Sequence, residues 1–263
     1  MLETLPPGDI HSTAIVDPSA DIATDASIGA YAVVGPRVII GAGARIGPHA
    51  VIHQDTTIGE QCAIHQGASL GNDPQDLKYN GEQSELIVGP RTVIREFCTI
   101  NRGTAAHGRT VIGADCLLMA YSHVAHDCVI GNRVVIANAV NMGGHVEIHD
   151  FATIGGLTAI HQFVRIGEYA FIGGTSAVRK DVPPYVKASG NPLKLYGLNS
   201  IGLQRRGFPD SLRLELKRAY RILFASELNV KQALERARSE LQPYPEVERF
   251  LAFIEAGGRG TTL

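Results

Sequence analysis

Aliphatic residues recur at every sixth position from Ile10 to Val178, giving 26 apolar residues in 29 such positions. The three exceptions, Asp76, Glu82 and Ala106, fall in GNDPQDLKYNGEQSE and NRGTAAHGR, stretches whose composition is that of loops. Loop excursions are therefore expected near residues 71–87 and 101–111 of an otherwise regular repeat. The residue two before the aliphatic is usually small, as at Ala26, Ala32, Ala44 and Ala50, and glycine follows the aliphatic in 13 of the 26 cases. Side chains alternate across a strand, so the aliphatic and the small residue both point inward and the residue between them points out. Glycine then serves the turn. This period predicts a hexapeptide-repeat parallel β-helix over residues 1–190. Three hexads make one triangular coil of eighteen residues, and nearly ten coils stack at about 4.8 Å each.

Beyond residue 190 the period stops. SGNPLKLYGLN reads as a connecting segment, and PDSLRLELKRAYRILFAS, NVKQALERARSEL and PEVERFLAFIEAGG carry the apolar spacing of helices. Residues 191–263 are thus expected to form a small bundle of about three helices, packed on the last coils or on a neighbouring subunit.

Composition agrees with a thin aliphatic column. The chain has 29 glycines, 6% aromatic residues and no tryptophan. Its 24 basic and 26 acidic residues leave a formal charge of −2, which excludes a global cationic field for nucleic acid or anionic lipid. MLETLPPGDI has no basic stretch leading into an apolar run, and no apolar run reaches membrane-spanning length, so a soluble, cytoplasmic protein is expected. The four cysteines, Cys62, Cys98, Cys116 and Cys128, all take the inward small position and are assigned no chemistry. Cys98 and Cys116, eighteen apart, are expected to lie close without bonding.

An eighteen-residue coil turns sequence numbers into coordinates. Outward positions should be polar, yet one expected column carries Ile15, Val33, Val51 and Ile87, and another carries Val93, Val111 and Val129. Apolar stripes on a prism predict burial against other prisms in a closed homo-oligomer, a trimer. Among the histidines, His11, His53, His65, His149 and His161 occupy the turn position that glycine usually holds. His123 instead faces outward in the column of Val33 and Val51, and His126 adjoins Asp127. His126, Gly144, His145, His161 and Gln162 fall in one band on successive coils. Imidazoles gathered around a carboxylate suit either a metal site of the β-helical carbonic anhydrase kind or a general base. Spacing alone leaves both open.

MAYSHVAHDCVIGNRVVIAN, with NDPQDLKYNGE before it and GGLTAIHQFVRIG and GNPLKLYGLNSIGLQRRGF after it, resembles the UDP-N-acetylglucosamine O-acyltransferase family. The likeness spans essentially the whole chain. It implies a left-handed β-helix, against the usual right-handed crossover, and no cofactor or metal. It also implies transfer of a 3-hydroxyacyl group from acyl carrier protein to the 3-hydroxyl of UDP-N-acetylglucosamine, the first step of lipid A biosynthesis. Carried over by position, His126 is the general base, Asp127 orients it and the Gly144 N–H stabilises the oxyanion. Asp76, Lys78, His123, His145, His161 and Gln162 correspond to sugar and diphosphate contacts, and Asn199 and Arg205 to nucleotide contacts. Arg165, Lys180 and Arg206, with Arg205, are expected to offer acyl carrier protein a local basic face.

Gly174 falls where the family limits acyl length, and a glycine there implies a long chain such as 3-hydroxymyristoyl. The chain departs from the family at Ile201, an apolar residue where a glutamate near the nucleotide is expected. The alternatives are a 3-amino sugar nucleotide as acceptor, or a metal-dependent carbonic anhydrase of the γ type. The related N-acyltransferase is set aside, because it carries an additional uridine-binding domain before its hexads.

Overall fold

Each hexad folds into a two-residue strand and a four-residue corner, and within most strands the second residue is the buried one, as at Val34, Ile52, Ile94 and Val124. The computed structural model describes residues 6–262, and its coils form a left-handed parallel β-helix followed by four helices. The reading of the N-terminus rests partly on Met1–Leu5, which lie outside the described residues. The coils build three parallel sheets. Sheet one has nine strands, from Ile15–Val16 to Ala177–Val178; sheet two has eight, from Asp21–Ile22 to Arg165–Ile166; sheet three has ten, from Ser27–Ile28 to Lys194–Leu198. The core between them is a column of Ile, Val and Ala, nearly all fully buried.

Ile15 stands on Val33 and Val33 on Val51, eighteen residues apart. Across the first excursion Ser69 pairs with Thr99, thirty residues on, and across the second Thr99 pairs with His123, twenty-four on. The excursions therefore insert twelve and six residues, which together equal one coil. Numbers are in phase before the first loop and after the second, and out of phase between them. His123 accordingly keeps its place in the column of Val33 and Val51.

The expectations made inside the dephased stretch fail for the same reason. Ile87 stacks with Thr57, Val111 and Val129 in sheet two, and Val93 stacks with Ala63 and Leu117 in sheet three. Cys98 Sγ lies 3.2 Å from Ser122 Oγ, whereas Cys116 lies over Thr92, so the two thiols are not neighbours. All four cysteines are free and buried. Burial pushes the Cys62 thiol up to about 11 and that of Cys128 to about 12.

The corner also differs from expectation. Its left-handed residue is the third after the aliphatic, and among the described residues nineteen of these are not glycine, including Tyr31, Asp127 and His145. Glycine right after the aliphatic answers a close approach instead: a Cβ on Gly29 would sit 2.7 Å from the Pro48 amide nitrogen of the next coil. Each left-handed residue costs about 1 kcal/mol or more. The arrangement lines up side chains of successive corners, so rings stack nearly parallel: Tyr31 on His49 at 5.1 Å, Phe97 on Tyr121 at 5.3 Å and Phe151 on Tyr169 at 4.6 Å.

The expected connector is in fact a strand. Lys194–Leu198 pairs antiparallel with Val186–Ser189 and ends sheet three. Four helices follow: α1 (Ser200–Arg205), α2 (Asp210–Phe224), α3 (Val230–Glu240) and α4 (Pro245–Glu255). The six residues of α1 are too few to show a period. Asn199 caps it, accepting from the Gly202 N–H at 3.2 Å. A capping box formed by Asn229 and Gln232 starts α3. The helices pack back on the last coils through Arg165, whose guanidinium lies 4.8 Å from the Phe253 ring centre and is ion-paired to the buried Asp181. No helix of the described residues is long and apolar enough to cross a membrane.

Truncating a core position should be costly and a neighbouring outward one cheap. Ile58→Ala is expected to lower stability by about 2–5 kcal/mol in chemical denaturation of the purified protein, and Thr57→Ser, at the outward position beside it, by much less.

Candidate active site

Both excursions leave the prism at the same edge, between sheets one and two, because each follows a sheet-one strand and precedes a sheet-two strand. The corners of the next three coils on that edge carry His126 and Asp127, then Gly144 and His145, then His161 and Gln162. The fold thus gathers the histidine band on one edge with the excursions beside it.

His126 Nδ1 lies 2.8 Å from Asp127 Oδ2, which directs Nε2 away from the carboxylate. Asp127 is almost fully buried. Its Oδ1 accepts from the Thr104 N–H at 3.0 Å and its Oδ2 from the Thr104 hydroxyl at 2.6 Å. Burial pushes the Asp127 carboxyl up, but hydrogen bonds from Thr104 and His126 outweigh it and hold the group below the ordinary carboxylate value. His145 packs edge-on against His126 at 5.2 Å and face to face on Phe163 at 4.5 Å, with Nε2 3.8 Å from Asp127 Oδ2. Burial lowers the pKa of His145, followed by opposing contributions from Asp127, which raises it, and His126, which lowers it. His123 donates to or accepts from the Thr99 hydroxyl at 2.8 Å, and burial lowers its pKa as well. A Cβ on Gly144 would lie 2.5 Å from His126 Cε1, so only glycine leaves room for that ring.

Asp76 and Lys78 stand on the first excursion, with Asp76 Oδ1 accepting from the Lys78 N–H at 3.0 Å and close enough to His145 to raise its pKa. Lys78, His161 and Gln162 are exposed on the same side. Other expected residues lie elsewhere on the protomer. Gly174 is on the edge between sheets three and one. Asn199 donates to the Tyr169 carbonyl at 2.9 Å, and the Arg206 guanidinium lies 5.0 Å from the Phe151 ring centre, both on the edge between sheets two and three, with Arg205 adjoining on α1. Arg165 is occupied by Asp181 and by the Gly257 carbonyl at 2.7 Å, while Lys180 is exposed. Arg165 is thus engaged within the fold, while Lys180 and Arg206 are exposed.

The pattern of the sequence missed Thr104 and His107. Both lie in the second excursion, where the period offers no coordinate; His107 packs edge-on against His145 at 5.1 Å. Ligand atoms of His126, Asp127 and His145 lie within 4.8 Å of one another, a spacing a metal ion would accept. Both oxygens of Asp127 already receive hydrogen bonds, however, and Nδ1 of His126 is one of the partners. These bonds fix the orientation of the His126 ring.

A prism of hexads with an imidazole–carboxylate pair on its edge defines the class of hexapeptide-repeat transferases, and a model of the bacterial transferase hexapeptide matches residues 37–72 and 109–144. A second model, described as UDP N-acetylglucosamine O-acyltransferase, domain 2, matches residues 181–262. The acyl-[acyl-carrier-protein]–UDP-N-acetylglucosamine O-acyltransferase of Anaeromyxobacter sp. (strain K) is 45% identical over 193 residues, 73% of this chain and 75% of that one. The LpxA structure from Acinetobacter baumannii superposes with a TM-score of 0.93 at 44% identity, covering 97% of this chain and 99% of its own. That from Moraxella catarrhalis gives 0.94 at 43%, with 97% and 99% covered. The chain belongs to the acyl-[acyl-carrier-protein]–UDP-N-acetylglucosamine O-acyltransferase family.

Two measurements check the local physics. Followed by NMR against pH, the ring protons of His145 and His123 should titrate below the ordinary histidine value of about 6.5. Gly144→Ala should displace the His126 ring and cut activity at least tenfold without altering the assembly.

Proposed function

We propose that this protein transfers a 3-hydroxyacyl group from acyl carrier protein to the 3-hydroxyl of UDP-N-acetylglucosamine, the opening step of lipid A biosynthesis, with His126 as general base. The observation that carries the assignment of roles is the His126–Asp127 pair beside Gly144, in a chain that belongs to this family. An alcohol is a poor nucleophile until its proton is removed. Nε2 of His126 takes that proton as the sugar oxygen attacks the thioester carbonyl, and Asp127 stabilises the imidazolium that forms. The Gly144 N–H, which has no acceptor among the described residues, donates to the developing oxyanion. Collapse breaks the carbon–sulfur bond, and the carrier thiolate leaves with the proton held by His126.

Asp76, Lys78, His123, His145, His161 and Gln162 would hold the sugar and diphosphate, with Lys78 as a point charge for phosphate. Asn199 and Arg205 would hold the nucleotide, and Gly174 would leave space for a long acyl chain. These last three are on other edges than His126. One substrate can touch both sets only if a second copy brings its sheet-three side against the catalytic edge of the first. A head-to-tail contact of that kind closes as a ring, and a trimer fits a three-sided prism. The half-buried outward column Ala63, Val93, Leu117, Val135 and Phe171 on sheet three supplies an apolar face for it. In such a ring the exposed Lys180, Arg205 and Arg206 of neighbouring copies would offer acyl carrier protein its basic contacts. Arg165 keeps its structural partner. Free, buried thiols agree with a cytoplasmic setting.

His126→Ala should abolish acyl transfer while leaving the mass of the assembly, measured by sedimentation, at three chains; retained turnover would falsify the base assignment. The assay uses carrier-protein donors of graded length and both the hydroxyl and the 3-amino sugar nucleotide. A long 3-hydroxyacyl donor with the hydroxyl acceptor is expected to turn over fastest, and a chelator is expected to leave the rate unchanged.

A further inference from the structure

We infer that Thr104 is a positioning residue for the reaction: it fixes the Asp127 carboxylate through two hydrogen bonds and so sets the orientation and basicity of His126. The inference rests on the reading of His126 as the base. Its observations are geometric. On ordinary corners the N–H of the left-handed residue donates to a carbonyl of the coil beneath, as His145 does to His126 at 3.1 Å and Phe163 to Gly144 at 3.0 Å. Beneath Asp127 that coil has opened into the second excursion. The Asp127 N–H instead donates to the Thr110 hydroxyl at 2.8 Å, and its carboxylate receives the Thr104 N–H and hydroxyl at 3.0 and 2.6 Å. A carboxylate this buried needs such donors, because burial without them favours the neutral acid.

The excursion that brings Thr104 is itself held in place. The buried Arg102 donates to the Gly71 carbonyl at 3.2 Å and to the Tyr79 hydroxyl at 2.7 Å, and the Ala105 N–H donates to Glu82 at 3.2 Å. These contacts tie the second excursion to the first, where Asp76 and Lys78 stand. The loop proposed to hold the sugar and the loop that orients the base are one hydrogen-bonded unit, so Thr104 is placed by the same framework that places the acceptor.

The consequence for pH has a definite sign. The Thr104 hydroxyl stabilises the ionised Asp127. Without it the carboxylate is more basic, draws more strongly on the Nδ1 proton of His126 and stabilises the imidazolium. The acid limb of kcat, where the base becomes protonated, should then move to higher pH. The other groups facing the pair are His145, which has His107 and Phe163 against it and Asp76 nearby, and His123; none of their side chains bonds to the Thr104 hydroxyl.

The test compares pH profiles of kcat and KM for the full-length wild type, Thr104→Val, Thr104→Ser and His126→Ala. Thr104→Val keeps the shape and the backbone donor but loses the hydroxyl, and with it both the bond to Asp127 and the one accepted from the Ala106 N–H at 3.2 Å, which Thr104→Ser retains. Its kcat should fall about tenfold to a hundredfold, the range of one charge-assisted hydrogen bond, with KM for the sugar nucleotide nearly constant and the acid limb displaced upward. Thr104→Ser should restore most of the rate and the wild-type limb. If His126→Ala retains wild-type turnover, the base assignment fails and this inference with it. If His126→Ala is inactive but Thr104→Val keeps the wild-type kcat and limb, or Thr104→Ser fails to restore them, only the role of Thr104 is overturned.

Discussion

Everything on this prism depends on the parallel hydrogen-bonded stacking of one coil on the next. Because each strand bonds to the strand above and below it at the inter-strand spacing, a side chain's neighbours along the axis are fixed by register. The core obeys this as a column of aliphatics, and the corners obey it as columns of left-handed residues. The His126–Asp127 pair belongs to the same order. Asp127, His145 and Phe163 are successive corner residues, and the stack of His145 on Phe163 is the counterpart of Phe151 on Tyr169 elsewhere. No special element was needed to assemble an imidazole cluster. The solenoid supplies a ladder of positions, and the sequence fills a few rungs with chemistry.

Up to Val178 the ladder of the hexads is interrupted where the two excursions leave it. They give up backbone pairing at one edge and bring in residues that the hexads do not provide: Asp76 and Lys78 from one loop, Thr104 and His107 from the other. The lost bonds are replaced by side chains. Thr110 takes the Asp127 N–H, Asn101 donates to the Asp73 carbonyl at 2.8 Å, and Arg102 spans the loops with almost no exposure. A buried arginine held by the Gly71 carbonyl, the Tyr79 phenol and the Asp73 carboxylate is a costly way to pin a loop. Its presence here is understandable because the two loops flank the His126–Asp127 pair.

How much of this was legible in the sequence follows from the same geometry. The period of six announced the coils, and eighteen placed His126, Gly144, His145 and Gln162 together, since all of them follow the second loop. Between the loops the count slipped, and Ile87, Val93 and the Cys98–Cys116 pair were put in the wrong columns. Thr104 had no signal, because a loop residue is positioned by three-dimensional contacts rather than by period. The strand Lys194–Leu198 and the short α1 were missed for lack of length. Family resemblance supplied roles that spacing could not, and it named Asn199, whose amide also caps α1 and donates to the Tyr169 carbonyl while keeping a second N–H free of partners among the described residues.

The four buried cysteines take on a different meaning in a protein that handles thioesters. Any accessible thiolate near the reacting carbonyl would compete with the sugar, capturing the acyl group by exchange and leaving the protein acylated. Cys128 is the immediate neighbour of Asp127, yet its sulfur faces the aliphatic column and its thiol is pushed up to about 12. The prism thus protects its own cargo: sulfur serves there as a small apolar filler, and no cysteine thiol is left exposed to rival the oxygen nucleophile.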